Sequence, residues 1–524
     1  MPDDKNSSAT ASHELGFRQT LLAMLGLCFV LILVALDQTV IGTALPTVVA
    51  ELHGFELYAW VGTSYLLTSI ITVPIFGKLG DEHGRKPFVL AAIVLFTSAS
   101  MLCGWAQSML QLVLARGVQG IGGGMLVATT FACIPDLFPD PKSRLRWQIM
   151  FSTSFGLANA VGPSMGGYLT EHWGWRSVFF VNLPVGLASL LFVSRYLPRI
   201  RHSAHQPSPL DWQGSALIAL ALGSMQLLVE WLPQQKPVAW LLILGGVMLT
   251  SAMLLVWWER RCPNPVLPMN MLSDRHLVPL FLLSLSMGFC MFAVMYYAPL
   301  MFQGGFGLSP NQAGLLITPF AVFITVGSIA NGRIVTRLSS PNWMLYVGAA
   351  LFWVAAYALT QVHASTPHLT VVLAMMAGGV GIGMLLPNLT LFTQASAPRH
   401  QLGVATAMLQ STRMMGGMLG TALVGTWVSH HYVQGVQEAL AHHGQTAWLA
   451  SLADPQVLVD RAAMATLKTQ ALQTGQDASA LLDLARQSLV EAIHGGQWVV
   501  VVLMAGVAVL ARCVPPMSLH GDKA

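Results

Sequence analysis

The sequence predicts an all-α integral membrane protein with fourteen transmembrane helices arranged as six, two and six, and three observations carry that expectation. Only 9% of the 524 residues are charged and 54% are hydrophobic, with a mean hydropathy of +0.61; an average soluble domain carries roughly 25% charged residues. Apolar windows of the roughly 20 residues needed to span a bilayer recur along the chain. Glycine-rich motifs also recur at matching places in its two halves, as in membrane proteins built from parallel repeats.

In order, the windows fall at 20–48, 58–78, 87–106, 110–134, 147–169, 177–197, 212–232, 238–258, 277–302, 311–332, 342–362, 368–394, 402–430 and 495–514. They divide the chain into a tail (1–19), a six-helix bundle (20–200), two inserted helices with their linkers (201–275), a second six-helix bundle (276–514) and a final tail (515–524). The polar first 17 residues lack a basic stretch, short apolar run and cleavage site, so helix 1 is expected to direct insertion itself. With the N-terminus in the cytoplasm, 19 of the 26 Lys and Arg lie on cytoplasmic segments. Five lie opposite (Arg176, Lys236, Arg461, Lys468 and Arg486), and Arg116 and Arg413 fall inside spans. One helix too many or too few would scramble this segregation, so it favours an even count with both termini cytoplasmic.

The net charge of +4 is then the imprint of orientation, and no basic patch with interleaved aromatics points to nucleic acid. The six cysteines are scattered, without metal or redox spacing. No paired catalytic constellation, phosphate loop or nucleotide motif occurs, so an enzyme and a resident cofactor or metal are not expected. The one sizeable soluble stretch, 431–494, falls outside the membrane; Asp454-Pro455 reads as a helix start, and 456–472 and 478–493 read as a two-helix hairpin broken at Gly475.

Gly120-Ile-Gly122-Gly-Gly124-Met125-Leu126 in helix 4 reappears as Gly379-Val-Gly381-Ile-Gly383-Met384-Leu385 in helix 12, and Pro139 then matches Pro398 at the same offset. Gly77-Lys78-Leu79 after helix 2 is echoed by Gly332-Arg333-Ile334 after helix 10. Helices 1–6 and 9–14 thus read as two copies of one unit, with helices 7 and 8 between them.

Five stretches carry a family resemblance. The charged loop Gly77–Pro87 resembles the loop between helices 2 and 3 of the major facilitator superfamily. Leu36-Asp37 through Leu45-Pro46, Arg116 through Gln119 and Gly122, and Gly162-Pro163 through Gly166-Gly167 are similar to the helix 1, helix 4 and helix 5 motifs of its fourteen-helix drug:proton antiporters, the EmrB/QacA-like group. Trp175-Arg176 through Asn182, Pro184 and Gly186 is similar to that group's entry into helix 6. The resemblance implies a multi-pass protein of the cytoplasmic (inner) membrane that exports hydrophobic, cationic drugs or toxic compounds by alternating access, driven by the proton gradient. Its partners would be such small molecules, protons and membrane lipid. A cell with an outer membrane would add a periplasmic adaptor and an outer-membrane channel. Export of an endogenous metabolite or siderophore, proton symport, and a non-transporting receptor are the alternatives.

Residue chemistry supports specific assignments. A carboxyl group within an apolar span is costly and marks function. At 1.5 Å per residue, Asp37 lies roughly 13 Å and Arg116 roughly 9 Å from the outer ends of their helices, at similar depth and with opposite charge. Burial and a neighbouring cation push a carboxyl in opposite directions, so a conformational change or a cationic substrate can decide whether its proton stays. Asp37 and Arg116 are therefore the candidate coupling pair, flanked by Gln38 and Gln119. In the loop, Gly77, Gly80 and Gly84 offer backbone freedom for a tight turn, while Asp81, Arg85 and Lys86 can clamp one access state. Pro163, with Gly162, Gly166 and Gly167, marks a kink or close approach in helix 5. Trp60, Tyr65, Phe155, Tyr296 and Tyr297, together with Gln38, Gln119 and Arg413, are the candidates for the substrate cavity. Arg413 has no evident acidic partner, and Glu230 reads as an interfacial carboxylate.

The charge segregation makes a direct prediction. Single cysteines introduced beside Arg399 and beside Lys468 will react with membrane-impermeant maleimide from opposite sides, the second from outside. Labelling of both from one side would overturn the fourteen-span topology.

Overall fold

The computed structural model describes residues 17–138, 141–198, 211–231, 237–263, 265–267, 269–335, 338, 340–397, 402–443, 445–474 and 476–515. Every regular element among them is helical. The long helices are α1 (Phe17–Leu52), α2 (Tyr58–His83), α3 (Arg85–Trp105), α4 (Met109–Leu137), α5 (Pro141–Trp173), α6 (Ser177–Tyr196), α7 (Trp212–Trp231) and α8 (Val238–Glu259). After the short turn Met269–Leu272 come α9 (Leu277–Leu300), α10 (Pro310–Ile334), α11 (Trp343–Leu359), α12 (His368–Ser396), α13 (Leu402–His442) and α14 (Ala478–Leu510). Among the described residues, ten helices are long and apolar enough to cross a membrane. The windows at 58–78, 147–169 and 402–430 fall on α2, α5 and α13, which are not among those ten, and α11 is a shorter apolar helix.

Local chemistry sets several boundaries. Ser108 starts α4 by accepting the Gln111 N–H, and Ser309 and Gln312 form a reciprocal capping box around Pro310 at the start of α10. Gly84 and Gly174 have φ of 87° and 78°, which glycine adopts at little cost, and each ends one helix before the next begins. The charged stretch Gly77–Pro87 is therefore not a loop. α2 runs through Gly77 and Gly80 to His83, and Gly84 alone separates it from α3. Intrahelical hydrogen bonding carries the polar residues along as a helical extension beyond the apolar window, leaving no turn for Gly77 or Gly80 to make. Pro163 likewise lies within an unbroken α5.

The two halves repeat the same packing. α1 packs on α5 and α6, α2 on α4, and α3 on α4 and α6; correspondingly α9 packs on α13 and α14, α10 on α12, and α11 on α12 and α14. The repeated glycines do the same work in each copy. A side chain at Gly120 would strike the Tyr65 carbonyl of α2, and one at Gly379 the Phe320 carbonyl of α10. Cβ atoms on Gly122 and Gly381 would lie 2.8 Å and 2.7 Å from the backbone nitrogens of Phe96 in α3 and Phe352 in α11. Between the bundles the seams also pair by symmetry, α5 with α10 and α2 with α13. α7 packs on both α2 and α13, whereas only 6% of the apolar window of α8 is buried, leaving that helix to face lipid.

The segment 431–494 departs from the expected hairpin. Residues 431–442 extend α13 and residues 478–493 belong to α14, so both helices project as continuous rods beyond their apolar windows. Between them, Asp454 does accept the Gln456 N–H and Pro455 does open a turn, but the turn is a short 3-10 helix, and the intervening α-helix spans Arg461–Gln473. Gly475 lies outside the described residues.

Glycine contacts across the α5–α10 seam generate a paired prediction. A Cβ on Gly167 would fall on the Pro310 carbonyl and one on Gly314 on the Pro163 carbonyl, whereas Gly246 on the exposed face of α8 has open space. Gly167→Leu should destabilise the protein by about 1–3 kcal/mol, read as a lower melting temperature of detergent-purified protein. Gly246→Leu should leave the melting temperature unchanged.

Candidate functional site

α1, α4 and α6 bring a polar cluster into the first bundle. Asp37 is 4% exposed, and Arg116, Gln119 and Asn182 are fully enclosed. Arg116 Nη1 donates to Asp37 Oδ2 at 2.7 Å and to Gln119 Oε1 at 2.7 Å. Gln119 Nε2 donates to Asp37 Oδ1 at 2.7 Å, and Asn182 Nδ2 donates to the same oxygen at 3.1 Å. Arg116 Nε reaches the Val61 carbonyl at 3.2 Å, and its guanidinium lies 4.5 Å from the centre of the Tyr65 ring. Asn182 also donates to Ser100 Oγ at 3.0 Å, tying α3 to the cluster.

Spacing along α4 explains the cradle. Arg116 and Gln119 are three residues apart, share one face of the helix and grip the carboxylate from two directions. Burying an ion pair costs several kcal/mol per ion in desolvation, which the attraction and the extra hydrogen bonds must offset. Here both carboxylate oxygens are engaged. Gln38 is half-buried and takes no part in the bonds to Asp37, because adjacent helical residues project in different directions. Asn182 is the single amide in the apolar run 177–197, and its place in the cluster depends on a partner that the local sequence does not show.

The end assigned to the outside by the charge distribution, called the outer end below, is sealed between the bundles. Tyr58 Oη donates to the Tyr296 carbonyl at 2.9 Å. α9 continues into a π-helical turn, Met301–Gly305, which aims Gln303 at the Thr43 carbonyl at 2.8 Å. Glu171 at the end of α5 accepts from Ser309 Oγ at 2.8 Å and from the Asn311 N–H at 3.1 Å, placing a carboxylate on the positive N-terminus of α10. The segment after α13 rests on the same end, with His53 Nδ1 and Gln456 Oε1 2.9 Å apart. Burial there pushes the Asp454 carboxyl above the usual aspartate range, and Glu56 adds to the effect. Trp175 Nε1 and the Arg176 guanidinium both bind the Glu51 carboxylate, fastening the α5–α6 turn to the end of α1.

Helix 5 packs through its glycines as expected. Gly162 and Gly166 admit Thr39 and Thr43 of α1, while Gly167 faces α10. At the opposite end, Lys86 Nζ donates to the Ser194 carbonyl at 2.8 Å, a cation on the C-terminal turn of α6. Arg85 opens α3, and the Asp81 and Glu230 side chains lie outside the described residues. Tyr296 and Tyr297 are buried in the outer seam, and Tyr297 Oη donates to the Thr421 carbonyl at 2.8 Å. Trp60 and Phe155 are half-buried. Arg413 is half-buried on α13, and among the described residues it forms no ion pair. The cluster thus collects Asp37, Arg116, Gln119 and Tyr65, with Gln38 beside Tyr65 and Tyr296 beside Arg116, whereas Phe155 and Arg413 stand apart from it.

Residues 27–421 match the model of the Major Facilitator Superfamily. The chain is 32% identical over 412 residues to "Multidrug transporter protein MdtP" of Bacillus subtilis, covering 78% of this chain and 75% of that protein. It is 30% identical over 430 residues to "Multidrug resistance protein 3" of the same species, covering 80% and 82%. Among solved structures, a bacterial homologue of the human lysosomal transporter Spinster, inward-facing and unoccupied, superposes with a TM-score of 0.67 at 16% identity, over 97% of this chain and all of that one.

The geometry of the pair predicts strong coupling between its members. Arg116→Met alone leaves the Asp37 carboxylate buried without its cation and should cost about 3–5 kcal/mol. The double variant Asp37→Leu/Arg116→Met removes both charges and should recover a large part of that loss. Thermal melting of the two purified variants checks this, and equal melting temperatures would contradict it.

Proposed function

The chain belongs to the Major Facilitator Superfamily, and on that premise we propose that it is a proton-coupled antiporter of the fourteen-helix drug:proton group. It exports hydrophobic, cationic compounds across the cytoplasmic membrane, with both termini in the cytoplasm. The observation that carries this reading is the enclosed Asp37 carboxylate, held by Arg116, Gln119 and Asn182. The printed names of the bacterial relatives, a multidrug transporter and a multidrug resistance protein, favour drug-like cargo.

In this reading the described state, sealed at its outer end, alternates with one in which that seam opens. Asp37 is shielded from water here, so proton exchange waits on rearrangement of the helices around it. Protonation removes the charge that holds the Arg116 guanidinium and loosens α1 from α4; release of the proton restores the clamp. One charge moving through 100 mV supplies about 2.3 kcal/mol, enough to bias such an equilibrium more than tenfold. The Gly84 junction, with Asp81, Arg85 and Lys86 beside it, and the Gly162–Gly167 face act as the gating elements at opposite ends. Gly77 would serve only as part of the α2 extension.

The test is gradient-driven dye export from cells and everted membrane vesicles. Wild-type protein should export ethidium until an uncoupler collapses the gradient. Asp37→Asn should reduce uncoupler-sensitive export by about tenfold or more at equal membrane abundance. Wild-type export rates in Asp37→Asn would remove Asp37 from the coupling step, and export unaffected by the uncoupler would refute proton antiport.

A further inference from the structure

Away from the Asp37 cluster, two carboxylates meet where α7 begins and α8 ends, at the inner end of the molecule opposite the outer seam. Asp211, directly before α7, is 7% exposed, and Glu259, the last residue of α8, is 2% exposed. Each has one oxygen served by fixed donors. Asp211 Oδ1 accepts the Gly214 N–H at 2.7 Å, as a residue that opens a helix does, and Trp258 Nε1 at 2.7 Å. Glu259 Oε2 accepts the Leu267 N–H at 3.2 Å, and the Val266 N–H is directed at the same carboxylate.

The other two oxygens, Asp211 Oδ2 and Glu259 Oε1, are buried and without a hydrogen-bond partner. They face a common point, since a Cβ on Gly214 would strike Asp211 Oδ2 and lie 2.8 Å from Glu259 Oε1. The missing side chain of Gly214 leaves the two groups room to approach. No cation answers them. Among the described residues neither carboxylate forms an ion pair, and α2 and α13, which pack on α7, send no donor to the free oxygens. Arg260 and Arg261, next to Glu259, are exposed, and Arg261 lies over the Trp257 ring.

Two carboxylates sharing a buried site resist being charged together, and their two free acceptors lack a donor between them. One proton meets both needs, because on either oxygen it removes a charge and donates to the other oxygen. Neither oxygen is exposed to an organic ligand or a hydrated ion. Among the described residues no group of three or more His, Cys, Asp or Glu is placed to hold a metal. A proton needs no such access.

We propose that Asp211 and Glu259 form a second proton-binding site, a carboxyl–carboxylate pair that shares one proton between Asp211 Oδ2 and Glu259 Oε1. The proton ties the start of α7 to the end of α8. When it leaves to water as the pH on that side rises, two like charges remain enclosed and the inner end of the inserted pair loosens. α7 packs on α2 and α13, so the loosened helix is one that both bundles touch.

The experiment follows the melting temperatures of detergent-purified wild-type protein, Glu259→Gln and Asp211→Asn across pH. Unfolded aspartate and glutamate release their protons near about pH 3.9 and 4.3, whereas the folded pair keeps one, so wild-type stability should fall as the pH rises above that range until the pair itself ionises. In either variant an amide supplies the missing donor at every pH. Relative to both variants, the wild-type folding constant should therefore drop about tenfold per pH unit over that interval, read as a gap in melting temperature that widens with pH. A gap that stays constant in both variants would overturn the proposal, and a widening seen against one variant alone would assign an ordinary single carboxyl and overturn the sharing. Infrared spectra supply a readout that needs neither variant. In Asp37→Asn, which lacks the other buried carboxyl, a protonated-carboxyl band should persist at neutral pH and vanish on alkaline titration; its absence at neutral pH would refute the shared proton.

Discussion

A charged pair removed from water organises the first bundle. The Asp37 carboxylate and the Arg116 guanidinium each lose hydration on burial, and no surrounding apolar residue can return it. The fold compensates by converging on them, with Gln119 one turn along the same helix, Asn182 from α6, the Val61 carbonyl and the Tyr65 ring from α2. Four helices thereby hold positions fixed by the needs of two ions. Such a cluster has few alternative arrangements; in the proposed antiport, a change in its protonation would be answered by movement of the helices that hold it.

Close backbone approach supplies the other half of the mechanism. In lipid, helices gain little from burying apolar surface against each other, and small residues that let backbones meet take over as the packing device. The glycines of α4 and α12 meet this need within each bundle, and those of α5 meet it between bundles. Hydrogen bonds at the outer end of the seam, including the Glu171 carboxylate on the start of α10, add polar closure at the membrane surface. Along α5 and α10 the seam is packed as closely as the bundle interiors, and the hydrogen bonds are added to that packing at its outer end.

Much of this was legible in the sequence for physical reasons. Spans are visible because the bilayer demands long apolar runs, and the Asp37–Arg116 juxtaposition followed from depth and charge alone. The repeat was visible because two copies of a helix packing through glycine need the same spacing. What stayed hidden depended on tertiary partners or on helix continuation. Gly77 and Gly80 looked like turn residues, yet an α-helix extended past the membrane window through them. The ends of α13 and α14 outgrew their windows in the same way. Asn182 carried a signal in its apolar surroundings, but its target lies 145 positions away.

The placement of the inserted pair makes the molecule lopsided in the plane of the membrane. A two-bundle protein related by an axis along the membrane normal would offer two equivalent lateral clefts to compounds dissolved in lipid. Here α7 stands across one of them and α8 forms a fence outside it, while the α5–α10 side carries no such cover among the described helices. On the export reading, cargo that partitions into the bilayer before capture would meet a one-sided entrance, and its traffic would have a direction within the membrane sheet as well as across it.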